Sequence, residues 1–154
     1  MENQLIQNTR IFELNQKSTR EEIQRCYTVM LELRPHLEEL IFAGQVTRQM
    51  AEGYRLVGLE DENEVMTLAG FRVLEFLAWG KVLYIDDLIT DSEARKNGYG
   101  GKLLKWIIEQ AKRMNCDQVH LDSGPQRHNA HRLYLNHGFK IIAHHFALNF
   151  KKLF

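Results

Sequence analysis

The sequence has 154 residues, 44% hydrophobic and 26% charged, which predicts a single globular domain over residues 1–154. Its 20 lysines and arginines balance 20 aspartates and glutamates, so the overall charge does not favour a nucleic acid or an acidic membrane as a partner. No apolar run approaches the ~20 residues of a membrane span, and Cys26 and Cys116 lack the spacing of a disulfide framework. We therefore expect a soluble protein of the reducing cytoplasm.

The first fifty residues predict one strand and two helices. Apolar residues alternate loosely over residues 10–14, which predicts a short first strand, and Ser18-Thr19-Arg20-Glu21 predicts the capping box of a first helix. Pro35 interrupts this helix and suits the first turn of a second one, with a break expected at Gly44 and a stop at Gly53. A DNA-reading helix pair is disfavoured here, because the second helix is acidic where phosphate contacts need basic residues.

From residue 54 onward the pattern changes to that of strands. The three strands of an antiparallel meander are expected over residues 54–59, 65–77 and 82–90. The elements expected after them are a helix over residues 98–114, a strand over 118–122, a helix near 129–136 and a final strand over 139–146. This succession predicts a parallel crossover appended to the meander.

Residues 86–102 lead from an apolar strand through a charged loop into an amphipathic helix. The centre of this stretch is Arg95-Lys96-Asn97-Gly98-Tyr99-Gly100. Glycines let backbone N–H groups approach a ligand, and a helix N-terminus adds unpaired N–H groups and the positive end of its dipole. These features predict a phosphate cradle, although glycines after a strand are often an ordinary turn. The spacing is neither that of a P-loop nor that of a dinucleotide motif, so another phosphate-bearing ligand is expected.

Two motifs in the second half resemble those of the GNAT superfamily of N-acetyltransferases. The first is Arg95-x-x-Gly98-x-Gly100, and the second is Asn129-Ala130-His131-Arg132-Leu133-Tyr134-Leu135-Asn136-His137-Gly138-Phe139. The resemblance implies an α+β fold of the bacterial single-domain type. Such a fold has a mixed, mostly antiparallel sheet of about six to seven strands and about four helices, with a splayed strand pair forming a slot for coenzyme A (CoA). One departure is Lys96, which stands where many members carry a glycine.

The same resemblance implies which residues bind the acetyl donor. Leu88, Ile89 and Thr90 would bind the pantetheine arm through their backbone, as an added strand would. Asn129 would hydrogen-bond the pantetheine or thioester region. The residues that would bind the pyrophosphate are Arg95, Lys96, Asn97, Gly98, Tyr99, Gly100 and Gly101. A bulge near Asp87 or Leu88 would splay this strand from the next one and open the slot.

The implied reaction is direct transfer of an acetyl group from acetyl-CoA to a primary amine of a small molecule or protein, in a ternary complex. Tyr134 would lie near the sulfur and protonate the leaving thiolate, the alternative being a tyrosine packed in the core. Asp87 is favoured as the base over Asp86 and Glu75. Since neighbours on a strand face opposite sides, at most one of the two aspartates is expected to face the cleft. Local pairing of both carboxylates, or a water relay with no base, stays open.

The alternative function is a catalytically inactive acyl-CoA-binding or sensor domain. A zinc site is also considered, since six of the seven histidines lie in the last 35 residues. These are His120, His128, His131, His137, His144 and His145. Their spacing supplies no third ligand set, so no metal is expected. The acceptor amine and a homodimer are left undecided by the sequence.

Overall fold

The structure is a computed structural model that describes residues 8–151. Its centre is one five-stranded sheet in the order β1-β2-β3-β4-β5. The strands are β1 (Thr9–Leu14), β2 (Arg55–Asp61), β3 (Glu64–Phe76), β4 (Gly80–Thr90) and β5 (Gln118–Leu121). β1 to β4 pair antiparallel, and β5 pairs with β4 in parallel. The predicted α+β fold with a mixed, mostly antiparallel sheet is confirmed, with five strands in the described part of the chain rather than six to seven.

Within residues 8–151, five α-helices and one 3₁₀ turn cover the sheet. They are α1 (Arg20–Gln24), α2 (Tyr27–Leu33), α3 (Glu39–Ala51), the turn Ser92–Ala94, α4 (Tyr99–Arg113) and α5 (His128–Asn136). None of the helices in the described residues has the length and apolar composition of a membrane span.

The helix boundaries correct two expectations from the sequence. The capping box of α1 is formed by Thr19 and Glu22, one residue later than predicted, and each side chain accepts a backbone N–H of the other. α3 begins at Glu39 rather than at Pro35 and runs through Gly44 without a break. The packing of its apolar face on the sheet outweighs the low helix propensity of one glycine.

The strands separate two apolar clusters by their period-2 alternation. Leu56 and Leu68 face the cluster built with α1 to α3, whereas their neighbours Val57 and Ala69 face the cluster built with α4. Cys26 is fully buried in the first cluster, and burial raises the pKa of its thiol to about 12. This thiol is therefore a core residue and not a nucleophile at neutral pH.

The C-terminal segment departs from the prediction. Phe139 is held by its N–H, which donates to Tyr134 O at 3.1 Å, and by its ring, whose centroid lies 6.0 Å from that of Tyr134. Beyond it, residues 140–150 contain no strand. The predicted final strand over residues 139–146 is therefore wrong. A strand forms only where an edge supplies hydrogen-bond partners, and here the segment lies off the sheet.

Candidate active site

A β-bulge at Asp86 lies where the pairing of β4 with β5 ends. Gly70 of β3 lies opposite Asp87, and the next residue, Phe71, lies opposite Ile85, which leaves Asp86 as the extra residue. The parallel pairing of β4 with β5 ends at the same place, at Ile85 opposite Leu121. From Asp86 to Thr90, the side of β4 that faced β5 therefore has no strand partner among residues 8–151. The predicted bulge lies one residue before Asp87.

The bulge brings both aspartates to one face of the sheet. Arg72 Nη2 donates to Asp86 Oδ2 at 2.7 Å, while Tyr54 Oη donates to Asp87 Oδ2 at 2.8 Å. The Arg72 guanidinium itself lies 5.5 Å from the centroid of the Tyr54 ring, so both pairs belong to one cluster. The expectation that at most one aspartate faces the cleft is wrong, because an extra residue resets the alternation of the strand.

A cavity of about 310 Å³ opens beside this cluster. Its lining comprises Met30, Arg34, His36, Leu37, Phe42, Gln45, Val46, Gln49, Tyr54, Asp86 and Asp87. Most of these residues come from α2, α3 and the loop between them, and β4 supplies the two carboxylates. Glu75, the third candidate base, is exposed on β3 and is not part of the lining. The cavity therefore combines an apolar wall with a few convergent polar groups, as small-molecule sites do.

The cluster is fully paired. Arg34 Nε donates to Asp87 Oδ1 at 2.9 Å, and Arg34 Nη2 donates to the backbone oxygen of Asp86 at 2.9 Å. Burial, followed by the charge of Asp87, raises the pKa of Tyr54 well above its usual range. Burial also raises the pKa of Asp86, although the Arg72 guanidinium opposes that effect. Tyr54 consequently stays a protonated donor at neutral pH and holds the Asp87 carboxylate in place.

The glycine loop follows the free end of β4. Arg95 Nη2 lies 3.3 Å from Glu32 Oε2, and the same carboxylate accepts from the backbone N–H of Ser92 at 3.0 Å. Lys96 and Gly98 both have a left-handed backbone, with φ of 72° and 79°. Glu32 of α2 thus anchors the loop and is the present partner of a half-exposed Arg95.

The N-terminus of α4 begins directly after this loop. The N-cap residue is Gly98, which has no side chain that could accept from the first N–H groups of the helix. The space beside it is open, since a Cβ at Gly98 would meet nothing within 4 Å. A Cβ at Gly100 would lie 2.9 Å from Thr90 Oγ1, so the helix start packs closely against the end of β4. Open N–H groups, the positive end of a 15-residue helix and the nearby Arg95 fit an anionic phosphate group.

The side chains of the predicted donor-binding residues differ in where they point. Tyr99 is buried, and its hydroxyl donates to Asp61 Oδ2 at 2.7 Å, a bond that raises the pKa of the phenol. Ile89 is buried in the first cluster and Leu88 packs against the second. Thr90 Oγ1 donates to Thr67 Oγ1 at 3.1 Å. At these positions the backbone, rather than the side chain, is available to a ligand.

The remaining predicted residues lie on or beside the loop and on α5. Asn97 Nδ2 donates to Ala94 O at 3.1 Å and supports the loop, and Gly101 lies near Leu133 of α5. Asn129 is exposed in the first turn of α5. Tyr134 is partly buried and packs, like Leu88, against the second cluster, and burial raises the pKa of its phenol. A protonated phenol at neutral pH is what a proton donor requires.

Four residues of the site were not found from the sequence, namely Glu32, Arg34, Tyr54 and Arg72. Their partners lie 14 to 63 residues away along the chain, so no local spacing connects them. The metal site considered from the sequence would have used histidines, with His128 and His131 as one possible pair. The ring centroids of these two residues lie 6.4 Å apart. The described residues contain no group of three or more His, Cys, Asp or Glu side chains that could hold a metal ion.

Comparison with known proteins identifies the class of this chain. The model of the acetyltransferase (GNAT) family matches residues 13–139. The chain is 31% identical over 135 residues to the uncharacterised N-acetyltransferase YhdJ of Bacillus subtilis (strain 168), a match that covers 86% of this chain and 95% of that relative. The chain therefore belongs to the GNAT family and is an N-acetyltransferase by class, as predicted.

Solved structures show the same fold at low sequence identity. An aminoglycoside acetyltransferase, meta-AAC0020, from an uncultured soil metagenomic sample has a TM-score of 0.82 at 14% identity, covering 96% of this chain and 99% of that chain. A GNAT family acetyltransferase of Staphylococcus aureus has a TM-score of 0.76 at 23% identity, covering 92% and 98%. A transcriptional regulator from Bacillus halodurans C-125 has a TM-score of 0.77 at 20% identity, covering 92% and 100%. At these identities the likeness concerns the fold.

Proposed function

We propose that residues 1–154 form a single N-acetyltransferase domain that transfers an acetyl group from acetyl-CoA to a primary amine by direct attack in a ternary complex. One observation carries this proposal. Beyond Ile85 the free edge of β4 runs between the Asp86–Asp87 cavity and the open N-terminus of α4. A donor bound along that edge would place one end at the helix start and the other beside the cavity.

The donor would be held mainly by backbone groups. Leu88, Ile89 and Thr90 would pair with the pantetheine arm, while residues 95–101 would take the pyrophosphate, with Arg95 exchanging Glu32 for a phosphate oxygen. Asn129 would contact the pantetheine or thioester region. Acetyl-CoA supplies the activated thioester, and a backbone N–H near Leu88 or Ile89 would donate to the negative charge that develops on its carbonyl oxygen.

Tyr134 is proposed as the acid of the reaction. Its raised pKa keeps the proton on the phenol at neutral pH, and Tyr134 packs, like Leu88, against the cluster built with α4, which supports a position beside the proposed slot. A phenol is a suitable donor to a departing thiolate, and such a donor contributes about 10²–10⁴ in rate.

The proton of the acceptor nitrogen is proposed to pass to Asp87. This carboxylate lines the cavity, and Arg34 and Tyr54 hold it in one orientation. Asp86 is the second candidate, favoured by a separate observation. Burial raises its pKa toward the working pH, which improves a carboxylate as a general base.

The acceptor is proposed to be a small primary amine, with an exposed lysine or N-terminal amino group of a protein as the alternative. A cavity of about 310 Å³ lies at the lower end of the range of small-molecule sites. The charges of Asp86 and Asp87 are balanced by Arg72 and Arg34, so the amine would enter a site without excess charge. The two free thiols, Cys26 and Cys116, support a reducing cytoplasm as the location.

Two measurements test the proposal. Isothermal titration should detect acetyl-CoA binding, and the release of free CoA should accelerate when the correct amine is added from a panel of small amines and peptides. Binding without CoA release for any amine would favour the catalytically inactive acyl-CoA-binding domain. The absence of acetyl-CoA binding would reject both functions. Arg113→Ala, which removes a cation at the opposite end of α4, is a matched control for general effects of charge.

A further inference from the structure

Arg34 uses only one edge of its guanidinium within the protein. Nε and Nη2 donate to Asp87 Oδ1 and to the backbone oxygen of Asp86, each at 2.9 Å. The outer edge, formed by Nη1 and the second N–H of Nη2, has no partner within residues 8–151. Arg34 lines the cavity, and its side chain is 42% exposed. A planar fork of N–H groups in this state can bind the carboxylate of a ligand through two hydrogen bonds.

Asp87 also retains capacity for a ligand. Its Oδ1 accepts from Arg34 and its Oδ2 accepts from Tyr54. Each oxygen of a carboxylate can accept more than one hydrogen bond, so both oxygens can still accept from a group in the cavity. The cavity wall therefore presents a carboxylate and a guanidinium side by side, each with hydrogen-bonding capacity to spare.

The ligand that complements this pair carries an amino group and a carboxylate on neighbouring atoms. An α-amino acid has both groups on one carbon, so its amino group can face Asp87 while its carboxylate faces Arg34. A simple amine would take the water from the free edge of Arg34 and offer nothing in return. A polyamine gains no excess of negative charge, because Arg72 binds both oxygens of Asp86.

The opposite wall of the cavity is uncharged. α3 contributes four residues at the spacing i, i+3, i+4 and i+7, which places them on one face of the helix. They are Phe42, Gln45, Val46 and Gln49. Gln45 Nε2 donates to Gln49 Oε1 at 3.1 Å, and Met30 and Leu37 of the lining are apolar. A wall of this composition suits an uncharged, mainly apolar side chain, and a volume of about 310 Å³ suits a single small molecule.

We propose that the acceptor is a free α-amino acid with an uncharged, mainly apolar side chain, an inference that rests on the proposed acetyl transfer. The free edge of Arg34 binds its carboxylate. The neutral amino nitrogen attacks the carbonyl carbon of the thioester, and one of its protons passes to Asp87. The C–S bond breaks, and CoA leaves as a thiol with the proton of Tyr134. The products are an N-acetyl amino acid and CoA.

Three matched acceptors test the carboxylate contact in a CoA-release assay. They are L-leucine, L-leucinamide and 3-methylbutylamine, which share one side chain and differ in the group that faces Arg34. The kcat/KM of L-leucine should exceed that of each of the others at least about 100-fold, because two charge-assisted hydrogen bonds are lost. The amine of L-leucinamide is less basic than that of L-leucine, so protonation cannot explain a slower reaction of the amide. A peptide, a polyamine or 3-methylbutylamine that reacts faster than every amino acid would overturn the inference and leave the acetyl transfer standing.

A matched pair of variants tests the residue. Arg34→Lys keeps a cation beside Asp87 but removes the second edge of the fork, so the preference for L-leucine over 3-methylbutylamine should fall at least about tenfold. Arg72→Lys changes an arginine that faces Asp86 and is not part of the lining. It should affect both acceptors equally and keep the preference within about threefold. If Arg34→Lys slows both acceptors and leaves the preference intact, Arg34 only positions Asp87 and the inference is wrong.

Product binding separates this inference from the proposed transfer. Isothermal titration with N-acetyl-L-leucine and N-acetyl-L-leucinamide requires no turnover. The first compound should bind at least about tenfold more tightly, and Arg34→Lys should remove the difference. This result without CoA release from any amine would reject the transfer and support the assigned occupant of the cavity. Equal binding of the two compounds to the unmodified chain would overturn the contact assigned to Arg34.

Discussion

Tyr54 occupies the space in which a side chain at residue 70 would lie. A Cβ built on Gly70 would come within 1.8 Å of Tyr54 Oη and 2.3 Å of the ring carbon that bears it. Gly70 lies opposite Asp87 in the strand pair, and the Tyr54 hydroxyl donates to that same carboxylate at 2.8 Å. The absent side chain on β3 therefore lets the phenol reach the carboxylate on β4.

Gly70→Ala should displace the Tyr54 ring and break its hydrogen bond to Asp87. We expect the free energy of unfolding to fall by about 1–3 kcal/mol, as in other overpacked cores, and kcat to fall with it. Urea denaturation and a CoA-release assay measure the two effects. The control is Gly44→Ala, whose Cβ would meet only Arg48 Nη1 at 3.7 Å and which should stabilise α3 by about 0.5–1 kcal/mol. Equal stability and activity in the Gly70 variant and the unmodified chain would show that Tyr54 needs no such space.

Tyr134→Phe should lower kcat by about 10²–10⁴ and leave the acetyl-CoA Kd unchanged. An acid must be protonated to act, and burial raises the pKa of Tyr134 above its ordinary 10.0. The activity of the unmodified enzyme should therefore persist to pH 10 before it falls. Full turnover by the variant at every pH would exclude Tyr134 as the acid.

Asp87→Asn should lower kcat by about 10²–10⁴, because a base must accept the proton that leaves the acceptor nitrogen. Asp86→Asn is the comparison. Burial raises the pKa of Asp86 above 3.8, so if Asp86 is the base, activity should rise with pH on the acidic side and Asp86→Asn should abolish that rise. An assay of CoA release across the pH range measures both effects, and unchanged activity in both variants would point to a water relay.

Arg95→Ala should weaken acetyl-CoA binding about tenfold, since one charge-assisted contact to phosphate is lost from a half-exposed side chain. Gly98→Val should weaken it as well, because a β-branched residue is strained at φ of 79°, at a cost of about 1–3 kcal/mol. Titration calorimetry measures the affinity, and circular dichroism checks the fold. An effect of Arg113→Ala as large as that of Arg95→Ala would mean that the charge acts at long range.

Glu60→Gln should destabilise the protein at pH 7 by about 1.5–3 kcal/mol. Glu60 is buried and accepts from Arg10 Nε and Arg25 Nη2, both at 2.7 Å. Burial by itself would raise its pKa, but the two guanidiniums outweigh burial and lower it. The stabilisation is therefore present above the unfolded pKa and is lost as the pH falls through the folded pKa.

The measurement for Glu60 is urea denaturation between pH 7 and pH 3. The difference between Glu60→Gln and the unmodified chain should shrink toward zero at acidic pH. Glu109→Gln removes an exposed carboxylate that pairs with Lys112 and should leave the denaturation midpoint almost unchanged. A constant difference for Glu60→Gln across this pH range would show that packing, and not the charge, is what the substitution removes.

Local features of the chain were predictable from the sequence. Each of three elements was predicted from residues that are close together in the chain. These elements are the strand over residues 82–90, the loop at Arg95 and the helix that follows it. Their apolar period and their glycines reflect steric and hydrophobic preferences that act along the chain. The family motifs depend on the same stretch, which is why the class of enzyme could be predicted before the fold.

Long-range pairs were not predictable in this way. Arg34 and Asp87 are 53 residues apart, and Arg95 and Glu32 are 63 apart, so no spacing rule connects them. The two aspartates were assigned to opposite faces by the alternation rule, which holds only while the strand has no bulge. Whether Asp86 forms a bulge depends on how β4 pairs with β3, and not on the residues next to Asp86 in the chain.

The sequence by itself thus determined the three strands of the meander, the family and the position of the loop at Arg95, because these follow from short-range preferences and local motifs. Only the tertiary structure decided that Asp86 and Asp87 share one cavity, that Tyr54 fills the space above Gly70, and that residues 140–150 lie off the sheet. Each of these depends on contacts between segments that are distant in the chain, and their geometry is set by packing and by the hydrogen-bond partners that each edge leaves free.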